Sequence, residues 1–174
     1  MNNLLKFSLL SFIFTVSACS QQQTVRDNSE ASKTVVIAKN STVENSDRGL
    51  VKVPSPYDVA ETSDRLAEII ESKGLTLFTR IDHSANAQQA GLELSPTQLL
   101  IFGNPKVGTP LMNCSATTAI DLPQKFLVMQ DDEQTQIVYN SPEYLQQRHN
   151  ITGCDEELTK VSGALSDIAE AATK

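Results

Sequence analysis

Residues 97–112 read Thr97-Gln98-Leu99-Leu100-Ile101-Phe102-Gly103-Asn104-Pro105-Lys106-Val107-Gly108-Thr109-Pro110-Leu111-Met112. The unbroken apolar run Leu99 to Phe102 suits a strand buried on both faces. Gly103, Pro105 and Gly108 then shape a tight turn. Thr109 followed by Pro110 reads as a helix start: a capping hydroxyl, then a residue with no N–H to lose. The stretch predicts a buried strand, a glycine-rich loop over Asn104–Thr109, and a helix from Leu111 to about Ala119, ended by Asp121-Leu122-Pro123.

Working outward, Leu50 to Val53 is a short strand, and Ser55-Pro56-Tyr57-Asp58 carries a capping serine, a proline and an acid in helix-start order. The helix it predicts runs to about Lys73, with Val59, Leu66, Ile69 and Ile70 on one stripe and Gly74 as its stop. Leu75, Leu77, Thr79 and Ile81 alternate with their neighbours as a strand does, and Ser84 to Ala90 makes a short helix before Gly91. Downstream, Lys125–Met129 and Gln136–Tyr139 form a hairpin around Asp131-Asp132-Glu133. Ser141-Pro142-Glu143 starts a helix that stops near Asn150. From Asp155 a last helix aligns Leu158, Val161, Leu165, Ile168 and Ala172 at intervals of three and four, a seam expected to pack on the sheet. The order β-α-β-α-β-α-β-β-α-α predicts an α+β fold, a small mixed β-sheet packed with helices. The 75–82, 84–90 and 97–102 segments are expected to form a right-handed parallel unit. That would bring His83 and the Asn104–Thr109 loop to one sheet edge, where ligand sites of open α/β sheets lie.

The chain opens with one positive charge, Lys6, then the apolar run Leu9–Val16 and Val16-Ser17-Ala18-Cys19. A charged start, a short apolar core and small residues describe a signal peptide, and the run is far below the ~20 residues that span a bilayer. The Val-Ser-Ala-Cys ending resembles the lipobox of bacterial lipoproteins, which implies cleavage after residue 18 and acylation of Cys19. Several acyl chains make such an anchor stable where one does not. Ser20 in place of an aspartate favours the outer membrane, facing the periplasm. Residues 19–48 follow as the lipidated cysteine and a flexible spacer, rich in Gln, Ser, Asn and Thr, whose apolar cluster Val35-Val36-Ile37 is a possible edge strand. The globular domain is assigned to residues 49–174.

Of the 174 residues 40% are apolar and 5% aromatic, and 14 basic against 21 acidic side chains leave a formal charge of −7. One domain is the expectation, and a net negative chain argues against binding nucleic acid through its phosphates.

With Ile81-Asp82-His83 upstream and Asp121-Leu122-Pro123 downstream, the Phe-Gly-Asn-Pro-Lys-x-Gly-Thr-x-Leu-Met run resembles the DUF302 family over roughly Leu50 to Lys174. The resemblance implies the α+β fold called TT1751-like and a homodimer, and it implies no reaction. The residues of this chain that match the family pattern are His83, Gly103, Asn104, Pro105, Gly108, Thr109, Met112, Asp121, Leu122 and Pro123.

The candidate ligand-binding residues are His83, Asn104, Lys106, Gly108, Thr109 and Asp121. A helix opening at Thr109 would point free N–H groups at an anion, with Lys106 near. Gly103 and Gly108 have phosphate-loop spacing, but Thr109 directly follows the second glycine where a lysine is required. His83 is a candidate general base that Asp121 could orient, or a residue bonded to backbone at its strand end. His149 reads as a helix C-terminal residue that suits the dipole. Cys114 and Cys154, an even pair in an oxidising compartment, point to a disulfide. Two free thiols and a Cys114 nucleophile served by His83 are the other readings. No cofactor is implied, and no zinc-like spacing joins the cysteines and histidines. Three functions compete. One is a lipid-anchored module binding a small anionic ligand or an envelope protein. The second is a small enzyme using His83 with Asp121 or Cys114. The third is a structural dimer of the envelope.

Overall fold

The computed structural model describes Glu44–Asn45 and residues 49–174. The leader, Cys19 and Val35–Ile37 lie outside the described residues. Within the segment read as a spacer, β1 (Glu44–Asn45) adds a two-residue edge to β2 (Leu50–Ser55).

The strand β2 is longer than its apolar core suggests. Pro54 and Ser55 still pair, with Gln136 and Thr135, so Ser55 ends a strand and does not cap a helix. Its buried hydroxyl meets Thr62 Oγ1 at 2.7 Å instead. Asp58 takes over as cap of α1 (Val59–Ser72), accepting the Glu61 amide at 2.8 Å. Val59, Leu66 and Ile70 are buried along the expected stripe.

Next come β3 (Thr76–Asp82), α2 (His83–Gln89) and β4 (Thr97–Gly103), and here the parallel unit is corrected: β3 and β4 are antiparallel. The reason is dimensional. Seven residues of α2 reach only about 10 Å, against about 23 Å for the seven of β3, and none of α2 is buried. A helix so short and polar cannot lie on the sheet as a crossover. The chain therefore turns back, and Asp82 pairs with Gln98 while Thr76 pairs with Gly103.

The helix start at Thr109 is also corrected. α3 (Pro105–Cys114) is capped by Asn104, whose side chain accepts the Lys106 amide at 2.9 Å. Asparagine is a better cap than threonine, and Pro105 supplies the first-turn proline. Pro110 falls inside the helix. The expected tail of that helix is a separate 3-10 helix, Ala116–Ile120. A cis Leu122–Pro123 bond leads into β5 (Gln124–Asp131), which turns at Asp132-Glu133 into β6 (Gln134–Asn140). α4 (Pro142–His149) is capped by Ser141 and stopped by Asn150 in the left-handed conformation, and α5 (Asp155–Ala172) closes the chain.

The sheet runs β1-β2-β6-β5-β4-β3 and is antiparallel throughout, where a mixed sheet was expected. Leu100, Phe102, Phe126, Val128, Ile137 and Tyr139 point from it into one buried layer with α1, α3 and α5. Phe102 stacks on Phe126 at 4.8 Å, and Tyr139 meets Phe126 edge-on. Leu158, Val161, Leu165, Ile168 and Ala172 of the predicted seam are all buried there. The alternate residues Leu99, Ile101, Leu127 and Met129 face away and are half-buried, so β4 is fully covered on one face only.

Candidate binding cavity

The layer between the sheet end and the helices is not filled. A cavity of about 460 Å³ lies under the 102–112 stretch. Phe102 and Gly103 at the end of β4 form part of its wall, and Pro105, Gly108, Thr109, Leu111 and Met112 of α3 form another. Leu122, Pro123 and Gln124 close it from the β5 side, and Val161, Ala164, Leu165 and Ile168 from α5. Its exposed large apolar lining residues are Phe78, 50% accessible, and Val107, 41%, and Pro105, Thr109, Pro123, Lys160 and Ala164 are exposed as well. Phe78 is there because of a bulge. It has no partner between the Leu77–Phe102 and Thr79–Ile101 pairs, and a bulge re-aims a side chain. A cavity of this volume, apolar with few polar groups, is of the size that takes small organic molecules.

The polar members are Asn104, Thr109, Gln124 and Lys160. Asn104 Oδ1 is occupied by its own cap. Lys160 pairs with Glu156 at 2.7 Å on the exposed face of α5. Gln124 alternates with Phe126 and Val128 on the core side of β5, and its Nε2 is buried with no hydrogen-bond partner among the described residues.

Three of the six sequence-derived candidates line this cavity: Asn104, Gly108 and Thr109. Lys106 is exposed on the first turn of α3 and is not among the lining residues. His83 is exposed as the first residue of α2, behind its cap Asp82. The antiparallel register puts it at the opposite end of β4 from Asn104, roughly 20 Å away along the strand. Gln124 pairs with Phe102, so Asp121 lies near the Asn104 end as well. The expected pairing of His83 with Asp121, and the shared sheet edge behind it, are therefore corrected. Asp82 Oδ1 accepts the Ala85 amide and the Ser84 hydroxyl, and these bonds hold its carboxyl below the ordinary 3.8.

Asp121 has found the other histidine. Its Oδ2 lies 2.6 Å from His149 Nε2, and His149 Nδ1 lies 3.0 Å from Thr117 Oγ1. Arg148 Nε stands 3.4 Å from the same carboxylate oxygen. The His149 side chain is buried, and Ser115 Oγ donates to its carbonyl at 2.8 Å. The cluster ties the 3-10 helix to the end of α4. Asp121 also borders a shallow second cavity of about 160 Å³, lined with Lys125, Leu127 and Val138. Burial there holds the Lys125 ammonium below its ordinary 10.5, against the pull of Asp121. Sequence reasoning named Asp121 and His149 separately and did not join them. It missed Gln124, whose signal was a polar residue in step with Phe126 and Val128.

Cys114 and Cys154 form a disulfide, with Cα atoms 6.5 Å apart. It joins the last residue of α3 to the cap of α5, the two helices that wall the cavity. A free Cys114 nucleophile is thereby corrected.

The fold and its pocket define a two-layer α+β domain, one antiparallel sheet and one helical layer with an apolar pocket between them that opens to solvent. The chain belongs to the family described as Domain of unknown function DUF302, whose model matches residues 51–171. It is 46% identical over 106 residues to Fluoride-specific ion channel FluC 1 of Brucella suis biovar 1, covering 60% of this chain and 42% of that one. The same identity holds to FluC 1 of Brucella abortus biovar 1, of which 39% is covered. The chain thus spans about two fifths of the length of these curated relatives. Among solved structures it is similar to an uncharacterized conserved DUF302 protein from Bacillus stearothermophilus. The TM-score is 0.65 and the identity 22%, over 71% of this chain and 98% of that one. That likeness shows the fold.

Proposed function

We propose that this chain is a lipid-anchored envelope protein whose domain binds a small apolar molecule in the cavity beneath residues 102–112. The single observation that carries the reading is the 460 Å³ apolar hollow walled by that stretch. The pocket is open to solvent on one side, so a small molecule can enter it, and its apolar lining favours burial of apolar surface. The Val16-Ser17-Ala18-Cys19 ending supports anchoring through Cys19, and the 20–48 spacer supports reach from the membrane surface. The lining favours an apolar ligand over the small anion expected at Asn104–Thr109.

The test is a titration with the neutral fluorophore N-phenyl-1-naphthylamine. The protein is made behind a cleavable leader in place of residues 1–19, so that no acyl chain occupies the cavity. The core of the described residues runs from Val51 to Ala172, clear of the replaced segment in sequence. Saturable enhancement is expected, with loss of at least tenfold in affinity in Gly108→Leu. A Cβ at Gly108 meets only Leu122 Cδ1, at 3.7 Å, so the larger side chain enters the cavity. Equal binding by both proteins contradicts the reading.

The relatives' printed activity, fluoride-specific ion conduction, belongs to chains of which this one covers two fifths. No helix among the described residues is long and apolar enough to cross a membrane. A module that works beside a membrane protein accords with the shared stretch. A homodimer remains a second proposal, supported by the apolar residues Leu99, Ile101, Leu127 and Met129 on the sheet face away from the helices. Light scattering on the eluting peak distinguishes monomer from dimer.

A further inference from the structure

The pocket is apolar inside and polar at its mouth. Thr109 of α3 and Lys160 of α5 are both exposed and both line it. The disulfide fixes how they face. It holds the Cα atoms of Cys114 and Cys154 6.5 Å apart at the corner where α3 ends and α5 begins. Thr109 lies about 7.5 Å back along α3 from that corner, and Lys160 about 9 Å forward along α5. The two side chains thus stand at matching distances from one pinned corner, on opposite walls of one opening. Neither is committed to the fold. Thr109 Oγ1 and the neighbouring Asn104 Nδ2 make no hydrogen bond among the described residues. Lys160 pairs with Glu156, but both side chains are exposed, and such a pair is screened by water and readily exchanged.

We infer that the pocket takes a single-chain amphiphile with one negative charge, a fatty-acid carboxylate, its tail inside and its head at the mouth between Lys160 and Thr109. This rests on the pocket being a ligand site and adds the chemical class of what it takes. The tail meets Phe102, Leu111, Leu122, Leu165 and Ile168, and each methylene buried there adds to affinity. A carboxylate could not follow it inside, because burying an unpaired charge is costly. At the mouth it stays hydrated and finds donors. The Lys160 ammonium has three donors on a flexible stem, the Thr109 hydroxyl has one and the Asn104 amide has two. The charge of the head is also set there. A single lysine lines the mouth, and Glu156 and Glu157 act on it from the same helix. That balance suits a singly charged carboxylate and disfavours both a doubly charged phosphate and a head with no charge to match.

The experiment displaces N-phenyl-1-naphthylamine from the unacylated protein with decanoate, neutral 2-decanone and cationic decyltrimethylammonium, at neutral pH and below micelle-forming concentrations. Lys160→Gln is expected to weaken decanoate by about threefold to tenfold and to leave 2-decanone unchanged. Thr109→Val should act in the same direction, and Glu156→Gln should strengthen decanoate by freeing Lys160. Lys106→Gln is the control, since Lys106 is exposed on α3 but does not line the pocket. If Lys160→Gln leaves decanoate unchanged, if Lys106→Gln weakens it equally, or if decyltrimethylammonium competes as well as decanoate in the wild type, the inference is overturned while the pocket reading stands. If the dye does not bind at all, the pocket reading fails and takes the inference with it. Circular dichroism confirms that each variant is folded.

Discussion

Gly49 is the position where a single added methyl does most harm. Its φ is +73°, and a Cβ there would run into the Tyr144 ring. Its carbonyl also accepts the Ser141 amide at 2.8 Å, fixing the start of α4 against β2. Gly49→Ala should therefore lower stability by about 1–3 kcal/mol in a urea melt. Gly108→Ala should do the opposite. It has room and lies in a helix interior, where alanine gains up to about 1 kcal/mol over glycine. Asp82 carries a pH dependence whose sign follows from its bonds. Its pKa is lower in the folded state, so its contribution is present above 3.8 and is lost as pH falls through the lower folded value. Slowed exchange of the Ala85 amide should fade in that window and be independent of it in Asp82→Asn. The roles of these residues were unevenly legible. Gly108 was expected in a tight turn and lies inside α3 instead, and the parts played by Gly49 and Asp82 were not read from the sequence. The Asp121–His149 contact joins segments 28 residues apart through the tertiary fold, and no local spacing encodes it.

The helices show how local signals compete. Both Asn104-Pro105 and Thr109-Pro110 are valid helix starts. Asn104 wins because it lies directly after β4, and Pro110 is accommodated inside α3 at the loss of one backbone bond. Ser55 loses to Asp58 because the sheet still has Thr135 for it to pair with. Strong periodicity survives such contests, and all of the α5 seam was legible. The antiparallel turn from β3 to β4 was not, because strand direction depends on whether α2 can cover the sheet. That one missed direction misplaced His83. At this level the disulfide makes its prediction. Cys114 and Cys154 close a loop of 40 residues between the two cavity-walling helices. The paired Cys114→Ser and Cys154→Ser change should cost about 3–4 kcal/mol in urea melts. It should also weaken dye binding, because α3 is no longer pinned to the cap of α5. A melt unchanged by the double substitution would show that packing alone sets this corner.

The whole domain is one helical layer on one sheet, and its parts agree on where the space is left. The bulged β3 brings Phe78 to the rim, the small residues Gly103 and Gly108 hold back from the centre, and Ala164 thins the α5 wall. The residues that carry the family resemblance, Gly103 to Met112 with Leu122 and Pro123, are mostly walls of this cavity, while His83 lies at the far end of the sheet. The stretch that decides the fold is thus also the stretch that shapes the proposed site. The most direct test is a methyl-resolved NMR titration of the unacylated protein with 2-decanone. The account predicts saturable shifts at Leu111, Leu122, Val161, Leu165 and Ile168, with Leu99, Ile101 and Leu127 on the opposite sheet face unmoved. Shifts confined to that opposite face, or none at saturating ketone, would contradict it.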